Sequence, residues 1–299
     1  MSIFCTISTR SHLFKSFALA DSLNKFGYQL AILIVDELDC SIYTNKKDVL
    51  ISNLTAITDS NGLAIINKYH RNKDKLRWAL KPIWLIQLLH KYEKVIYVDN
   101  DTFFYTDPSF LFDALNNYKI LLSPHFYPAE PDNNQNWLEA NFKVGLYNAG
   151  FLGANKQANE ILHWWSKCCL YKITKSTSRG MFDDQKYLDL LPIKFENILV
   201  IKHKGCNLAG WNSMNYELKG DNMNLVINGK YPIVFIHFAN LSLREFSKTN
   251  SIFHPYYLFY INELRKYKQD YAFKKTDVTW YQLSSYFDFL LWKVKRLFD

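Results

Sequence analysis

The fold of this chain is decided by the stretch KVIYVDNDTFFY, residues 94–105, in which an apolar strand ends on Asp99 and Asp101. Burying two carboxylates there costs free energy unless a cation compensates their charge. A hard divalent cation that bridges a diphosphate is the readiest such cation. The stretch therefore predicts a metal and nucleotide site near the middle of the chain. For an isolated Asp-x-Asp, a turn capped by an aspartate side chain is the commoner alternative.

Composition limits the classes of protein to consider. The 299 residues, 48% of them hydrophobic, suffice for one large α/β domain or two smaller ones. The five cysteines are odd in number and lack Cys-x-x-Cys spacing, which indicates neither a disulfide framework nor a zinc site and fits a reducing cytosol. The sequence shows no basic leader with a long apolar core and no bilayer-spanning stretch. We therefore expect neither secretion nor membrane spanning.

The first residues predict a βαβ unit. An apolar strand over residues 3–7 precedes a helix with helical apolar spacing over 13–23, which Gly27 ends, and a second strand over 30–35 closes on Asp36. Such a unit predicts parallel strands with a ligand crevice at their carboxyl ends. The first strand is not followed by Gly-x-Gly-x-x-Gly or a Walker-type loop, which argues against dinucleotide oxidoreductases and P-loop enzymes.

Later segments continue the alternation of helices and strands. A helix is predicted over 76–90, with Pro82 near its first turn or kinking it. The further predictions are a helix from Asp107 to Leu115, a strand over 119–123, a long functional loop over 124–141, a helix with Trp164 and Trp165, and a strand over 233–237.

Five short motifs occur in a recognisable order: Lys81-Pro82, residues 95–101, Asn148-Ala-Gly150, Asp184-Gln185 and Ile236-His237. This order resembles the GT-A-fold glycosyltransferases, particularly glycosyltransferase family 8, from Ser2 to about Arg244. The resemblance implies an α/β GT-A fold, Rossmann-like, with a mostly parallel central sheet flanked by helices. Residues 1–250 would form the catalytic domain, and 251–299 a helical, basic and aromatic C-terminal extension.

The resemblance implies that Asp99 and Asp101 hold Mn²⁺ or Mg²⁺ against the two phosphates of a nucleotide-sugar, with His237 as the third protein ligand. A core histidine bonded to backbone is the alternative for His237. The metal would neutralise charge on the departing nucleoside diphosphate.

Further residues are implied to bind the donor. Those on the nucleotide side are Thr6, Ile7, Ser8, Asp36, Lys81, Asn100 and Arg244, in addition to Asp99 and Asp101. Asp36 is equally compatible with a simple strand terminator. For the phosphate contact, Arg77 is an alternative to Lys81, and a solvated lysine at a helix start is the plain alternative for Lys81.

The donor sugar would meet Asn148, Asp184 and Gln185. The Asn148 amide would bind the sugar, and Asp184 would accept hydrogen bonds from its hydroxyls. Gly150 would let the backbone approach the sugar, and a turn that needs a positive φ at Gly150 is the plain alternative. Asp183 is the adjacent alternative to Asp184. Gln185 would lie near the anomeric carbon. Because an amide is a poor nucleophile, the acceptor would attack on the same face from which the diphosphate departs, which retains the configuration. An inverting enzyme would instead need a carboxylate base on the acceptor hydroxyl.

The chain departs from the family pattern after His237, where residues 238–246 read FANLSLREF in place of a glycine followed by Lys-Pro-Trp. Arg244 is the candidate replacement for the missing phosphate-binding lysine. The departure indicates a divergent relative, of the sort found among enzymes that build bacterial surface polysaccharides. Trp211 would offer an apolar face to a pyranose, with core packing as the commoner alternative.

The tail from residue 256 onward is aromatic and basic. One helical face would carry Trp280, Leu283, Phe287, Leu290, Leu291, Val294 and Phe298. Further aromatic residues outside this stripe lie near Lys295 and Arg296, which favours an interfacial contact with anionic lipid about as much as docking on protein.

The leading hypothesis is a metal-dependent glycosyltransferase that moves a sugar from a nucleoside diphosphate, UDP by resemblance, to a lipid-linked or oligosaccharide acceptor in bacterial lipopolysaccharide, O-antigen or capsule synthesis. It would work in the cytoplasm, with a peripheral contact on the inner membrane. A noncatalytic nucleotide-binding scaffold with a degenerate transferase fold and an inverting transferase are alternatives.

Two other classes fit less well. A nucleotidyltransferase would carry a glycine-rich loop after the first strand. A nucleic-acid-binding module would use the net charge of +8, part of which reflects a general bias towards lysine, but it would not need Asp99 and Asp101 beside His237. We therefore expect no nucleic-acid partner.

Overall fold

The buried apolar runs of the sequence form a seven-stranded central sheet in the computed structural model, which describes residues 1–36, 48–132 and 135–273. The strands are β1 (Ser2–Ser8), β2 (Leu30–Ile34), β3 (Val49–Asn53), β4 (Lys94–Val98), β5 (Thr102–Phe104), β6 (Ile120–Pro124), β7 (Tyr147–Asn155), β8 (Lys175–Ser176), β9 (Met181–Phe182), β10 (Ile198–Val200), β11 (Leu218–Lys219), β12 (Val226–Ile227), β13 (Tyr231–Pro232) and β14 (Phe235–His237). The helices are α1 (Leu13–Asn24), α2 (Ser60–Tyr69), α3 (Lys73–Ala79), α4 (Lys81–Leu89), α5 (Ser109–Ala114), α6 (Gln135–Lys143), α7 (Asn159–Tyr171), α8 (Leu191–Lys194), α9 (Asn240–Phe246) and α10 (His254–Arg265).

The central sheet has the order β10-β6-β7-β4-β1-β2-β3. All its strands run parallel to one another except β7, which is antiparallel to both β4 and β6. The predicted mostly parallel α/β sheet is therefore confirmed. Because β1, β2, β4 and β6 point the same way, the residues that follow them meet at one edge of the sheet.

Helices cover both faces of this sheet. Alternate residues of β1 point to opposite sides, so that Ile3 and Cys5 join an apolar cluster with α2, α3, α4 and α7, whereas Phe4 joins a cluster with α1 and α5. A third cluster lies around β5, β14, α9 and α10. Burial of each large apolar side chain in these clusters stabilises the folded state by about 1.5–3 kcal/mol relative to leaving it exposed to water.

Helix α10 belongs to the third cluster. Its Tyr260 stacks on Phe238 with ring centres 4.0 Å apart, and Tyr256 and Leu264 are also buried. Part of the predicted C-terminal extension therefore packs beside β14. The predicted domain boundary between residues 250 and 251 stays a prediction. The apolar stripe that begins at Trp280 lies outside the described residues. Among the helices described, none has the length and apolar character required to cross a bilayer.

Two sequence predictions were wrong in detail. The helix predicted over 76–90 is two helices that meet at Leu80, because Pro82 cannot donate a backbone hydrogen bond and lies in the first turn of α4. The loop predicted over 124–141 is interrupted by α6, which begins at Gln135. Its periodicity went unrecognised because prolines and asparagines dominate the start of the segment.

Candidate active site

Local folding around Asp99 brings a distant histidine beside the two aspartates. After β4 the chain turns sharply, with the Thr102 amide donating to the Asp99 carbonyl at 3.1 Å. The strand β5 then pairs with β14, in a register that sets His237 opposite Thr102. One ligand atom from each of Asp99, Asp101 and His237 falls within 4.8 Å of the others.

The imidazole of His237 faces both carboxylates. Its Nε2 lies 3.1 Å from Oδ1 of Asp101 and 4.0 Å from Oδ2 of Asp99, and the side chain is buried. A core histidine bonded only to backbone does not describe this arrangement. Two carboxylates and an imidazole form a donor set that suits Mn²⁺ and also accepts Mg²⁺, so the residues fit the implied metal.

Burial and charge act in opposite directions on this group. Burial by itself would lower the pKa of His237, but the Asp101 and Asp99 carboxylates together outweigh it and the pKa lies above the ordinary value. Burial by itself would raise the pKa of Asp101, but His237 outweighs it and the pKa lies below the ordinary value. Each side chain therefore favours the charged form of the other.

The two oxygens of Asp99 have different neighbours. Oδ1 accepts a hydrogen bond from the Tyr97 hydroxyl at 2.7 Å and lies 3.4 Å from Nζ of Lys81, whereas Oδ2 faces His237. Hydrogen bonds of this kind orient metal-binding carboxylates. Sequence reasoning missed Tyr97, although the two-residue period of a strand places it on the same side as Asp99.

Lys81 lies between Asp99 and Asp184. Its Nζ is 3.2 Å from Oδ2 of Asp184 and donates to the Ala149 carbonyl at 3.0 Å, and only 3% of the residue is exposed. Burial by itself would lower the pKa of Lys81, but Asp184 and Asp99 raise it more. The alternative of a solvated lysine is wrong, and contact with phosphate stays a prediction. We call Lys81, Asp99, Asp101, Asp184 and His237 the charged group.

Asn148 and Gly150 lie within β7 and not in a turn. The Asn148 Oδ1 accepts from the Gly150 amide at 2.6 Å, and its Nδ2 is 3.3 Å from Nδ1 of His237. A Cβ at position 150 would stand 2.7 Å from Asn148 Oδ1 and from His237 Cε1, and 2.9 Å from Asp99 Oδ2. Glycine is required here by this close approach, so the alternative of a positive φ is wrong.

Asp184, and not Asp183, faces the charged group. The Asp183 carboxylate points to Lys175, with 3.4 Å between the charged atoms, and burial raises the pKa of Asp183 to about 6. Burial also raises the pKa of Asp184, an effect that Lys81 opposes. The amide of Gln185 is held at both ends, accepting from the Ala149 amide at 3.3 Å and donating to the Val144 carbonyl at 3.2 Å.

The predicted nucleotide side lies at the ends of β1 and β2. Thr6, Ile7 and Ser8 are buried, and Asn100 Nδ2 donates to Ser8 Oγ at 3.0 Å, which ties the aspartate turn to β1. Asp36 accepts from the Arg10 amide at 2.8 Å and pairs with Lys73 at 3.2 Å.

Arg77 and Arg244 are the two arginines considered for the phosphate contact. Arg77 lines a cavity of about 140 Å³ together with Tyr97, Asp99 and Asp101, so it stays a candidate for the phosphate contact, as the sequence analysis proposed. Arg244 lies on α9 and donates to the neighbouring Glu245 at 3.0 Å. Its contact with phosphate stays a prediction.

Trp211 supports the site from behind. Its ring is buried and lies edge-on to His237, with ring centres 5.3 Å apart, and its Nε1 donates to the His125 carbonyl at 3.1 Å. Trp211 is therefore a packing residue, as in the alternative given above, and its buried ring does not offer an open face to a pyranose.

Sequence comparison finds relatives of similar length. YfnF of Bacillus subtilis (strain 168) is 28% identical over 264 residues, which cover 84% of this chain and 85% of YfnF. YfnD of the same organism is 28% identical over 251 residues, which cover 80% of this chain and 78% of YfnD. Both are described as uncharacterized proteins. No protein-family model matches the chain.

Structural comparison finds glycosyltransferases. The galactosyltransferase LgtC, solved with donor and acceptor sugar analogs, matches with a TM-score of 0.53 at 12% identity, covering 89% of this chain and 96% of LgtC. GlyE of Streptococcus pneumoniae TIGR4 matches at 0.52 and 13% identity, covering 90% of this chain and 63% of GlyE.

The bifunctional glycosyltransferase WbbM matches at 0.52 and 15% identity, covering 88% of this chain. The chain spans about half of WbbM, 49% of its length. At such identities the likeness concerns the fold, and family 8 membership stays a prediction. The chain has the GT-A fold that the resemblance implied, shared with these glycosyltransferase structures.

Proposed function

We propose that this chain is a metal-dependent glycosyltransferase that moves a sugar from a nucleoside diphosphate, UDP by resemblance, to a glycan acceptor. The convergence of Asp99, Asp101 and His237 at the carboxyl edge of a GT-A sheet carries the proposal. A turn that merely capped β4 would not need a buried histidine from residue 237 beside it.

Each member of the charged group has a role in this reaction. A bound Mn²⁺ or Mg²⁺ would act as a Lewis acid and neutralise the charge that develops on the departing diphosphate. Tyr97 and Lys81 hold one oxygen of Asp99, so that its other oxygen faces His237. Arg77, in the cavity beside the aspartates, supplies a second positive charge for the phosphates.

The sugar side favours retention. Lys81 holds Asp184 as a carboxylate that accepts hydrogen bonds from sugar hydroxyls. Gln185 is a weak nucleophile, so the acceptor would attack on the face that the diphosphate leaves. The inverting alternative needs a carboxylate base placed against the acceptor hydroxyl.

The cellular setting follows from the resemblance to enzymes of bacterial surface polysaccharides. We place the reaction in lipopolysaccharide, O-antigen or capsule synthesis, in the cytoplasm, on a lipid-linked or oligosaccharide acceptor. Within the basic and aromatic residues 256–299, those that α10 does not bury in the third cluster would provide a peripheral contact with the inner membrane.

A donor screen tests the proposal. Nucleotide release from a set of nucleotide-sugars is measured with Mn²⁺, with Mg²⁺ and with chelator. We expect release from a UDP-sugar only when metal is present, and anomeric NMR of the transferred product then reads retention or inversion. Metal-dependent binding of UDP without turnover across a broad acceptor set would establish the noncatalytic scaffold in its place.

A further inference from the structure

A second cavity opens at the same edge of the sheet as the charged group. It has a volume of about 450 Å³, within the range of small-ligand sites. We call it the aromatic cleft and define it by Phe126, Tyr127, Tyr147, Tyr216 and Lys204. Because β6 runs parallel to β4 with β7 between them, the end of β6 reaches the edge on which Asp99 lies.

The cleft borders on the predicted sugar position through Asn148 and Asn207. The Asn148 amide donates to Asn207 Oδ1 at 3.3 Å, and Asn207 in turn donates to the carbonyl of Pro124, which lines the cleft, at 3.1 Å. Tyr147 lines the cleft and is the residue before Asn148. A ligand in the cleft therefore lies on the side of Asn148 away from the ends of β1 and β2, where the nucleotide is expected.

The chemistry of the lining suits a carbohydrate. Aromatic rings offer apolar faces to the C–H face of a pyranose, and amide side chains bond its hydroxyls. The amide residues that line the cleft are Asn141, Asn215 and Asn228. Tyr127 stacks on His125 and on Trp137, with ring centres 4.6 Å and 5.4 Å away, so ring contacts build this part of the lining. Tyr147 and Tyr216 are the lining residues whose rings we expect to face a sugar.

Lys204 supplies the charge. It is the sole charged residue in the cleft lining of the described chain, and its Nζ lies 3.6 Å from the centre of the Phe126 ring. Burial, and secondarily the charge of Lys202, lower the pKa of Lys204. Since no carboxylate lines the cleft among these residues, an anion on the ligand would supply the missing compensation.

We propose that the aromatic cleft binds the acceptor of the proposed sugar transfer, and that this acceptor is a glycan whose sugar ring carries an anionic substituent against Lys204. The inference rests on the proposed function, since it names the acceptor of that reaction. The anionic group is a carboxylate or a phosphate, and the two sources are separated by the probes below.

The test measures binding by saturation-transfer NMR with three probes: a galacturonate disaccharide, the matching neutral galactose disaccharide and galactose 6-phosphate. We expect one of the anionic probes to bind about tenfold more tightly than the neutral one, as for a hydrogen bond to a charged group. Lys204→Gln should remove this preference. Tyr216→Leu should weaken all three probes and keep their order.

Lys202→Gln is the matched control, because Lys202 is exposed and outside the cleft lining, and it should retain the preference. Equal binding of neutral and anionic probes, a preference that survives Lys204→Gln, or no binding of any probe at millimolar concentration would overturn the inference. Release of UDP by the wild-type chain is measured in parallel with the donor set, without acceptor and with a broad acceptor set. Absent release under both conditions together with a Lys204-dependent anion preference defeats the transferase, whereas release without that preference defeats only the inference about the acceptor.

Discussion

The charged group and the aromatic cleft lie at one edge of the same sheet but are built in different ways. The charged group is fixed by strand ends and by mutual contacts, such as the 3.1 Å contact between His237 and Asp101. The aromatic cleft is lined by side chains from separate segments around residues 124–147, 204 and 215–228. Under the proposed function, the charged group performs the reaction and needs its charges held in one geometry. The aromatic cleft would select the acceptor with loop residues, which can change without disturbing the sheet.

The largest expected effect on turnover comes from removing a charge from the charged group. Asp101→Asn keeps the shape of the side chain but weakens the donor set, so we expect metal-dependent turnover to fall about 10²–10³-fold. Steady-state release of UDP measures it. Asp132→Asn, on an exposed loop, is the control and should retain turnover. Unchanged turnover in Asp101→Asn would remove the metal site from the reaction.

Lys81→Met tests whether the charged group also stabilises the fold. The variant leaves Asp184 buried beside Asp99 without their shared cation, and breaking such a buried pair costs about 3–5 kcal/mol. Urea unfolding measures the loss. Lys73→Met removes an exposed lysine and its pair with Asp36, with an expected cost of about 0–1 kcal/mol. Equal stabilities of the two variants would contradict a linking role for Lys81.

His125 joins the two regions, since it stacks on Tyr127 and lies 5.9 Å from the Trp211 ring. Burial lowers the pKa of His125 to about 3 in the folded chain, from an ordinary value of 6.5. As the pH falls, His125 is therefore protonated in the unfolded chain before it is protonated in the folded chain. The contribution of His125 to the free energy of unfolding is highest above pH 6.5 and decreases as the pH falls from there towards 3. Between pH 7 and pH 5 we expect His125 to account for about 2 kcal/mol of this loss.

Urea unfolding of His125→Asn at both pH values checks this contribution. The variant should lose less stability than the wild type over the same interval, whatever its stability at pH 7. The exposed His70, changed to Asn, should show the wild-type loss. A pH dependence in His125→Asn equal to that of the wild type would contradict the account.

Gly150→Ala gives the smallest expected effect and sharpens the role of β7. The added methyl group would push on Asn148, His237 and Asp99, so we expect the affinity for Mn²⁺ to fall about tenfold, as when groups that orient metal ligands are disturbed. Gly153→Ala on the same strand is the control, because its methyl group meets Leu121 side-chain atoms at 3.0–3.1 Å, away from the ligands. Similar affinities in both variants would contradict this role for Gly150.

Sequence reasoning predicted the parts of the molecule that follow from local pattern. Apolar runs predicted β1, β2 and β4, and the aspartates at the end of β4 predicted where the charge lies. The same reasoning named Lys81 as a candidate phosphate contact, which stays a prediction, but it did not predict that Lys81 is buried, since burial of a lysine depends on the partners that the fold brings to it. The role of Tyr97 required the same tertiary knowledge, because its bond to Asp99 matters only once His237 is in place.

The aromatic cleft was the hardest part to predict. Phe126, Lys204 and Tyr216 are far apart along the chain, and no periodicity relates them. The loop predicted over 124–141 contributes Pro124, Phe126, Tyr127, Ala129 and Asn141 to the lining, although α6 interrupts it, and its functional role stays a prediction. Another part of the lining depends on how residues 204–228 pack against the end of β6.

Calorimetric titration of Mn²⁺ into the chain, with and without UDP, tests the central claim most directly. We expect one Mn²⁺ per chain, bound more tightly when UDP is present because the two ligands share a site. Asp101→Asn and His237→Ala should abolish this UDP-dependent binding. Mn²⁺ affinity that is the same in the wild type and both variants, or that does not respond to UDP, would contradict the account.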